Sequence, residues 1–111
     1  MKCLKIDDKW LRLILEGQKT WEIRRQPTNF RGRIALGNTK TKNYEGYATI
    51  IDCKKYTVEN LKKFGNNQWA NDFIEEYADS GENLFAYMLL DISLEPNPKP
   101  YSYSTGFWCH T

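Results

Sequence analysis

A lysine, a glutamate and an arginine stand close together at positions 19, 22 and 24, and these residue types can bind a polar ligand. Because side chains of a strand point alternately to its two faces, Glu22 and Arg24 share one face, and Trp21 and Ile23 share the other. Lys19 enters at the edge of the polar face. Charges of both signs on one rigid element can hold a ligand or shift one another's pKa. This segment is therefore the first candidate for a site.

A short helix precedes this strand and determines where it begins. Apolar residues recur at helical spacing from Trp10 onward, and Gly17 is typical of the residue that ends a helix, so the sequence predicts a helix over 9–16. The polar strand follows over 20–25. Alternating apolar residues predict further strands at 3–6, 34–39, 46–56 and 84–94.

The second half of the chain combines helices with a proline-rich run. Thr57 is a typical N-cap, and it predicts a helix that Gly65 closes. The apolar residues of 69–77 recur at helical spacing and predict another helix, with its tryptophan on the inner side. The run 95–100 contains prolines that remove backbone donors, so we expect it to be irregular. The segment 101–110 is expected to add an edge strand.

Length and composition limit the classes of protein that fit. A chain of 111 residues with 41% hydrophobic residues predicts one domain, 1–111, with one modest core. A net charge of +2 excludes a protein that coats duplex DNA through its overall field. No apolar run has the length of a membrane span, and the first residues do not resemble a signal peptide.

The cysteines and the single histidine indicate no metal site. Three widely spaced cysteines and one histidine do not give the ligand spacing of structural zinc, so we expect no metal and no cofactor. Reduced thiols and the absence of membrane signals predict a cytoplasmic protein. We also expect a monomer.

Several segments, taken in order, resemble one known family. The pattern Gly17-x-Lys19-x-x-Glu22-x-Arg24, preceded by Trp10, resembles the signature of ASCH domains, which are small PUA-like β-barrels associated with RNA. Segments 32–36, 46–53 and 86–92 resemble later strands of that family. The resemblance implies an α+β fold, a PUA-like barrel of about five to six mixed or antiparallel strands with two to three short covering helices.

The resemblance also implies a central cleft that binds RNA, another single-stranded nucleic acid or a modified nucleoside. From the residues alone, a solvated strand face with a salt bridge of about 0–1 kcal/mol would be the commoner explanation. In the family the three charged positions border the cleft, and this favours a site. The expected ligand-binding residues are Lys19, Glu22, Arg24, Arg25, Arg33 and Trp10. A basic rim around the cleft and ordinary surface charge are equally compatible with one further set of residues: Arg24, Arg25, Arg31, Arg33, Lys40 and Lys42.

Two other functions remain open. Some ASCH-type proteins hydrolyse the amide of N4-acetylcytidine with a lysine, a threonine and a glutamate, and others are ribonucleases. Lys19 matches the lysine, but Glu22 occupies the threonine position, and the later glutamate could be Glu75 or Glu76. Lys19 and Glu22 would be the reacting pair of such a hydrolase. The third possibility is a protein-interaction module with a vestigial cleft.

The protonation state of Lys19 separates binding from catalysis. Burial lowers the pKa of a lysine, whereas a neighbouring carboxylate raises it. We expect the carboxylate effect to keep Lys19 charged near neutral pH, unless the site is dry enough for desolvation to prevail. A charged lysine binds a phosphate or carbonyl oxygen and is a poor nucleophile. The sequence therefore favours ligand binding over amide hydrolysis.

Overall fold

The computed structural model describes residues 1–77, 80–102 and 106–111. Within these ranges the chain forms six strands and four short helices: β1 Lys2–Ile6, α1 Asp8–Leu15, β2 Trp21–Arg24, β3 Gly32–Asn38, β4 Asn43–Thr57, α2 Val58–Lys62, α3 Gly65–Gln68, α4 Asn71–Glu75, β5 Asn83–Pro100 and β6 Trp108–His110. The strands make one mixed sheet in the order β2-β5-β4-β3-β1-β6. The predicted fold class is confirmed, with more helices than expected.

The sheet curls into a barrel that stays open along one seam. Only β1 and β3 pair in parallel, and the long strands β4 and β5 pair antiparallel with several bulges. Bulges bend and twist the strands that carry them, which lets the sheet wrap around its core. The end strands, β2 and β6, are not neighbours in the strand order of the described residues. The expected closed barrel is therefore open between β2 and the β1–β6 edge.

Apolar side chains are buried on both sides of the curled sheet. The inner cluster comprises Leu4, Ile6, Leu11, Ile14, Ile34, Leu36, Ala48, Ile50, Tyr87 and Leu89. The outer cluster lies between β2, β5 and the later helices, and it comprises Ile23, Val58, Leu61, Ala70, Ile74, Leu84 and Ala86. β2 contributes Ile23 to the outer cluster, and its Glu22 pairs in register with Tyr87 of the inner cluster.

The predicted helix over 69–77 is wrong in its first part. α3 ends at Gln68, Trp69 adopts φ 48° and ψ 30°, and a new helix begins at Asn71. Trp69 was expected to face the core, yet it is 43% exposed. A tertiary contact explains the break, because the main-chain oxygen of Gln68 accepts a hydrogen bond from the Lys19 ammonium. Periodicity within the helix could not reveal that contact.

The run 95–100 was also predicted wrongly, because β5 continues to Pro100 and pairs with β4. Residues 95–98 have no register partner on β4, because Gly46 pairs with Leu94 and Tyr44 pairs with Lys99. The Pro96 and Pro98 positions, which lack a backbone donor, thus fall in this bulge. The expected edge strand in 101–110 forms only at Trp108–His110, and 103–105 lie outside the described residues. No helix in the described ranges has the length and apolarity needed to span a membrane.

Candidate functional site

A cavity of about 280 Å³ opens at the seam of the sheet, next to the polar face of β2. We refer to it as the cleft. Its lining residues come from β1, α1, β2, the turn after β2, α4 and the C-terminal segment: Lys5, Asp7, Trp10, Glu22, Ile23, Arg24, Arg25, Gln26, Ala70, Phe73 and Phe107. The cleft therefore combines a charged floor with aromatic and aliphatic walls.

The Glu22 carboxylate lies between two cations. Its Oε1 atom is 3.6 Å from Lys19 Nζ, and its Oε2 atom is 2.8 Å from Arg24 Nη2 and 3.1 Å from Arg24 Nε. Glu22 is only 4% exposed. Its register partner on β5 is Tyr87, which belongs to the inner core cluster. The carboxylate is thus a buried anion whose charge is balanced by fixed neighbours.

Lys19 belongs to this network but is not a lining residue of the cleft. Its side chain is 1% exposed, and its ammonium donates to the main-chain oxygen of Gln68 and contacts the Glu22 carboxylate. The ammonium also lies 5.5 Å from the centre of the Trp10 ring. Lys19 was expected at the edge of the polar face, and the structure instead places it behind Glu22.

Desolvation dominates the protonation of Lys19. Burial lowers the pKa of its ammonium below the ordinary value, and the Glu22 carboxylate opposes this effect without cancelling it. The site is thus dry enough for desolvation to outweigh the carboxylate, which is the exception that the sequence analysis allowed. The burial of Lys19 could not be predicted from the sequence, because Gln68 and Trp10 approach it from other parts of the chain.

Arg24 spans the seam. Its Nη2 atom donates to the main-chain oxygen of Lys5 on β1 at 2.6 Å, and the same guanidinium binds Glu22. Its central carbon lies 5.1 Å from the centre of the Phe107 ring. Arg24 therefore orders three parts of the cleft at once, and its planar fork is suited to several simultaneous acceptors.

The remaining predicted residues fall into two groups. Trp10 and Arg25 line the cleft, and Arg25 makes an exposed ion pair with Glu82 at 3.1 Å. Arg33 does not line it: this side chain lies on β3, where it donates to Thr49 Oγ1 at 3.2 Å and to Ser93 Oγ at 2.7 Å. Its assignment to the cleft is corrected, because β3 and β2 are not neighbours in the sheet.

The residues weighed for other roles also lie away from the lining. Glu75 pairs with Lys62, and neither Glu75 nor Glu76 lines the cleft. Trp108, whose place near the C-terminus allowed either core packing or a border of the cleft, packs against Phe30 with ring centroids 6.3 Å apart. Sequence reasoning missed Lys5, Asp7, Gln26, Ala70, Phe73 and Phe107. Only Phe107 carried a signal, as an aromatic beside a glycine near the C-terminus.

Most of the residues that line the cleft lie within a segment that matches a known family. The family model described as ASCH domain matches residues 4–94, which include the whole network from Lys19 to Arg24. The chain belongs to the ASCH family. A comparison with curated protein sequences gave no significant match.

Solved structures of ASCH proteins share this fold. An ASCH protein from Zymomonas mobilis with a serine-to-alanine substitution aligns with a TM-score of 0.77 at 22% identity, covering 89% of this chain and 72% of that one. A tyrosine-to-phenylalanine variant from the same organism aligns with a TM-score of 0.77 at 22% identity, covering 89% of this chain and 74% of that one. A third structure of ASCH from Zymomonas mobilis aligns with a TM-score of 0.73 at 21% identity, covering 84% of this chain and 68% of that one. At this identity the likeness establishes the ASCH fold of the chain and nothing finer.

Proposed function

We propose that this ASCH domain binds one base of a single-stranded RNA, or a nucleoside of similar size, in the cleft. The observation that carries the proposal is the Glu22 carboxylate, held by two cations at the floor of a cavity with aromatic walls. Pockets for small molecules usually have volumes of about 300–1,000 Å³. At about 280 Å³ the cleft is of the size that suits a single base.

The groups around the cleft match the chemistry of an unpaired nucleotide. A fixed carboxylate accepts hydrogen bonds from amino and imino groups on a base edge, as in recognition of the cytosine amino group. Trp10 and Phe107 add aromatic surface to the walls of the cleft, where a base can pack against them. Arg25 lines the same cavity, and its exposed ion pair with Glu82 can open so that the guanidinium binds a phosphate. With so few basic residues, binding should be weak and should decrease with salt.

Binding of labelled single-stranded RNA, followed by fluorescence anisotropy over a salt series, tests this function. Glu22→Gln removes the charged acceptor, Arg24→Ala removes the guanidinium, and each should weaken binding about tenfold or more. Lys62→Ala is the charge-matched control, since Lys62 pairs with Glu75 away from the cleft. Equal losses in all three variants, or no binding by the wild type, would contradict the proposal.

One observation favours a second function, hydrolysis of an amide in a modified nucleoside. Burial lowers the pKa of Lys19, which increases the neutral, nucleophilic fraction of its amine near the Glu22 carboxylate. Against it, Lys19 does not line the cleft, and Glu22 occupies the position of the family threonine. Release of acetate from N4-acetylcytidine by the wild type, lost in both Lys19→Met and Glu22→Gln, would make the chain an enzyme.

A further inference from the structure

Trp69 stands between α3 and α4, with a strained backbone and a side chain outside the core. Its φ of 48° lies in the left-handed region, where glycine and asparagine are favoured and a bulky residue is strained. The residue is 43% exposed and belongs to none of the core clusters in the described part of the chain. Backbone strain and an exposed large ring both oppose stability. A residue that costs stability in two ways is a candidate for a binding role.

Trp69 lines a second open cavity of about 460 Å³, which we call the outer groove. The outer groove is lined by Lys9, Trp10, Gly65, Asn66, Trp69, Asn71 and Asp72. Trp10 also lines the cleft, so one indole forms a wall of both cavities. Since Trp10 packs against the inner and the outer core clusters, this shared wall is rigid. A ligand that fills the cleft therefore lies beside the outer groove.

The chemistry of the outer groove suits a nucleobase better than a phosphate. The Trp69 ring is oriented in advance, because its Nε1 atom donates to the main-chain oxygen of Asn66 at 2.9 Å. Lys9 and Asp72 bring opposite charges, so the lining has no excess charge to attract an anion. Amide and carboxylate groups next to an exposed indole provide edge contacts and a stacking face, the combination used for unpaired bases.

We infer that the outer groove binds the base of the nucleotide adjacent to the one in the cleft, with Trp69 as its stacking surface. This inference rests on the proposed function, because it extends the same RNA strand past Trp10. A protein segment is the alternative occupant. The mixed polar lining and the shared wall favour the nucleotide, since a single strand has a second base next to the first.

Indole resonances give a direct test with the four nucleoside 5′-monophosphates and their dinucleotides as probes. In a ¹H–¹⁵N spectrum a monophosphate should shift the Trp10 indole first, and a dinucleotide should shift both Trp10 and Trp69. Trp69→Asn removes the ring and suits the left-handed backbone, so the variant should stay folded. It should weaken dinucleotide binding about 5- to 150-fold and leave monophosphate binding unchanged. Trp69→Phe should retain most of the affinity.

Leu94→Asn is the matched surface control, because Leu94 is 65% exposed and lines neither cavity. Unchanged dinucleotide binding in Trp69→Asn, with Arg24→Ala weakening both probes, would overturn the inference and leave the proposed function intact. Equal losses for both probes in Trp69→Asn would also overturn it, since the groove would then not be a separate subsite. If the wild type binds neither probe, the proposed function fails and the inference fails with it.

Discussion

The Arg24 guanidinium and the main-chain oxygen of Lys5, 2.6 Å apart, join β2 to β1 across the open seam of the sheet. No register pair links these two strands among the described residues. The side chain therefore provides a connection that the backbone does not, and it does so at the floor of the cleft.

Arg24→Lys should loosen this connection. A lysine keeps the charge, but its single ammonium cannot replace a fork that binds Glu22 and the Lys5 oxygen together. We expect the free energy of unfolding to fall by about 1.5–3 kcal/mol, the usual contribution of hydrogen bonds to charged groups. Urea denaturation measures the loss. Arg25→Lys is the control, since the Arg25–Glu82 pair is exposed, and a similar loss there would contradict the role given to Arg24.

Glu22→Gln should destabilise the protein through Lys19. The substitution leaves a buried ammonium without its carboxylate partner, and breaking a buried pair in this way costs about 3–5 kcal/mol. The double variant Lys19→Met/Glu22→Gln should recover part of that loss, because it removes both charges. A double-mutant cycle by chemical denaturation gives the coupling energy. Additive single and double effects would show that the two side chains do not interact.

The same pair predicts how stability depends on pH. The pKa of Lys19 is lowered in the folded state, so between that lowered pKa and the ordinary value of 10.5 the unfolded chain binds more protons. The contribution of Lys19 to stability therefore increases as pH rises through this window. Glu22→Gln removes the carboxylate that raises the pKa of Lys19, so the pKa falls further and the pH window becomes wider. The increase in stability between neutral and alkaline pH should then be larger. The difference between wild type and Lys19→Met, measured over a pH series, isolates the effect.

Local alternation was enough to predict the polar face of β2. Glu22 and Arg24 line the cleft and Trp21 packs outside it on Tyr56, with ring centroids 5.5 Å apart, although Ile23 also reaches the lining. A strand has a fixed period of two, so once the strand was assigned the faces followed. The ASCH signature added the expectation that this face borders a cleft.

The groups that complete the site could not be predicted, because they come from distant segments. The oxygens of Lys5 and Gln68 are backbone atoms, which carry no side-chain signature in a sequence. Their placement depends on how β1 and α3 pack against β2. The same packing turns Trp69 outward against its helical periodicity. The assignment of Arg33 to the cleft was wrong for the converse reason. β2 and β3 are close along the chain, but they are not neighbours in the sheet.

Gly46→Ala should destabilise the bulged region of β4. A Cβ atom at this position would lie 2.6 Å from the main-chain oxygen of Ser93 and would also strike the Leu15 side chain. Backbone cannot yield as a flexible side chain does, so we expect a loss of about 1–3 kcal/mol, typical of overpacking. Thermal denaturation provides the measurement. Gly106→Ala is the matched control, because a Cβ there meets no atom within 4 Å, and it should leave the melting temperature almost unchanged.

Tyr87→Phe should remove part of the alkaline instability of the fold. The Tyr87 hydroxyl is buried and donates to the main-chain oxygen of Gln26, a residue of the cleft lining, at 2.7 Å. Burial raises the pKa of Tyr87 from 10.0 to about 12. Because the pKa of Tyr87 is higher in the folded than in the unfolded chain, its protonated hydroxyl contributes to stability in full below pH 10. That contribution to stability is lost as pH rises from 10 to 12.

The phenylalanine variant should therefore be less stable than the wild type near neutral pH, by about 0.5–1.5 kcal/mol for the lost hydrogen bond. Its stability should then decline less steeply than that of the wild type between pH 10 and 12, because position 87 no longer ionises on unfolding. Denaturation at a series of pH values measures both effects, and absorbance of tyrosinate in the folded wild type gives the pKa independently. Parallel curves for the two proteins above pH 10 would mean that Tyr87 ionises as readily in the folded chain as in the unfolded one.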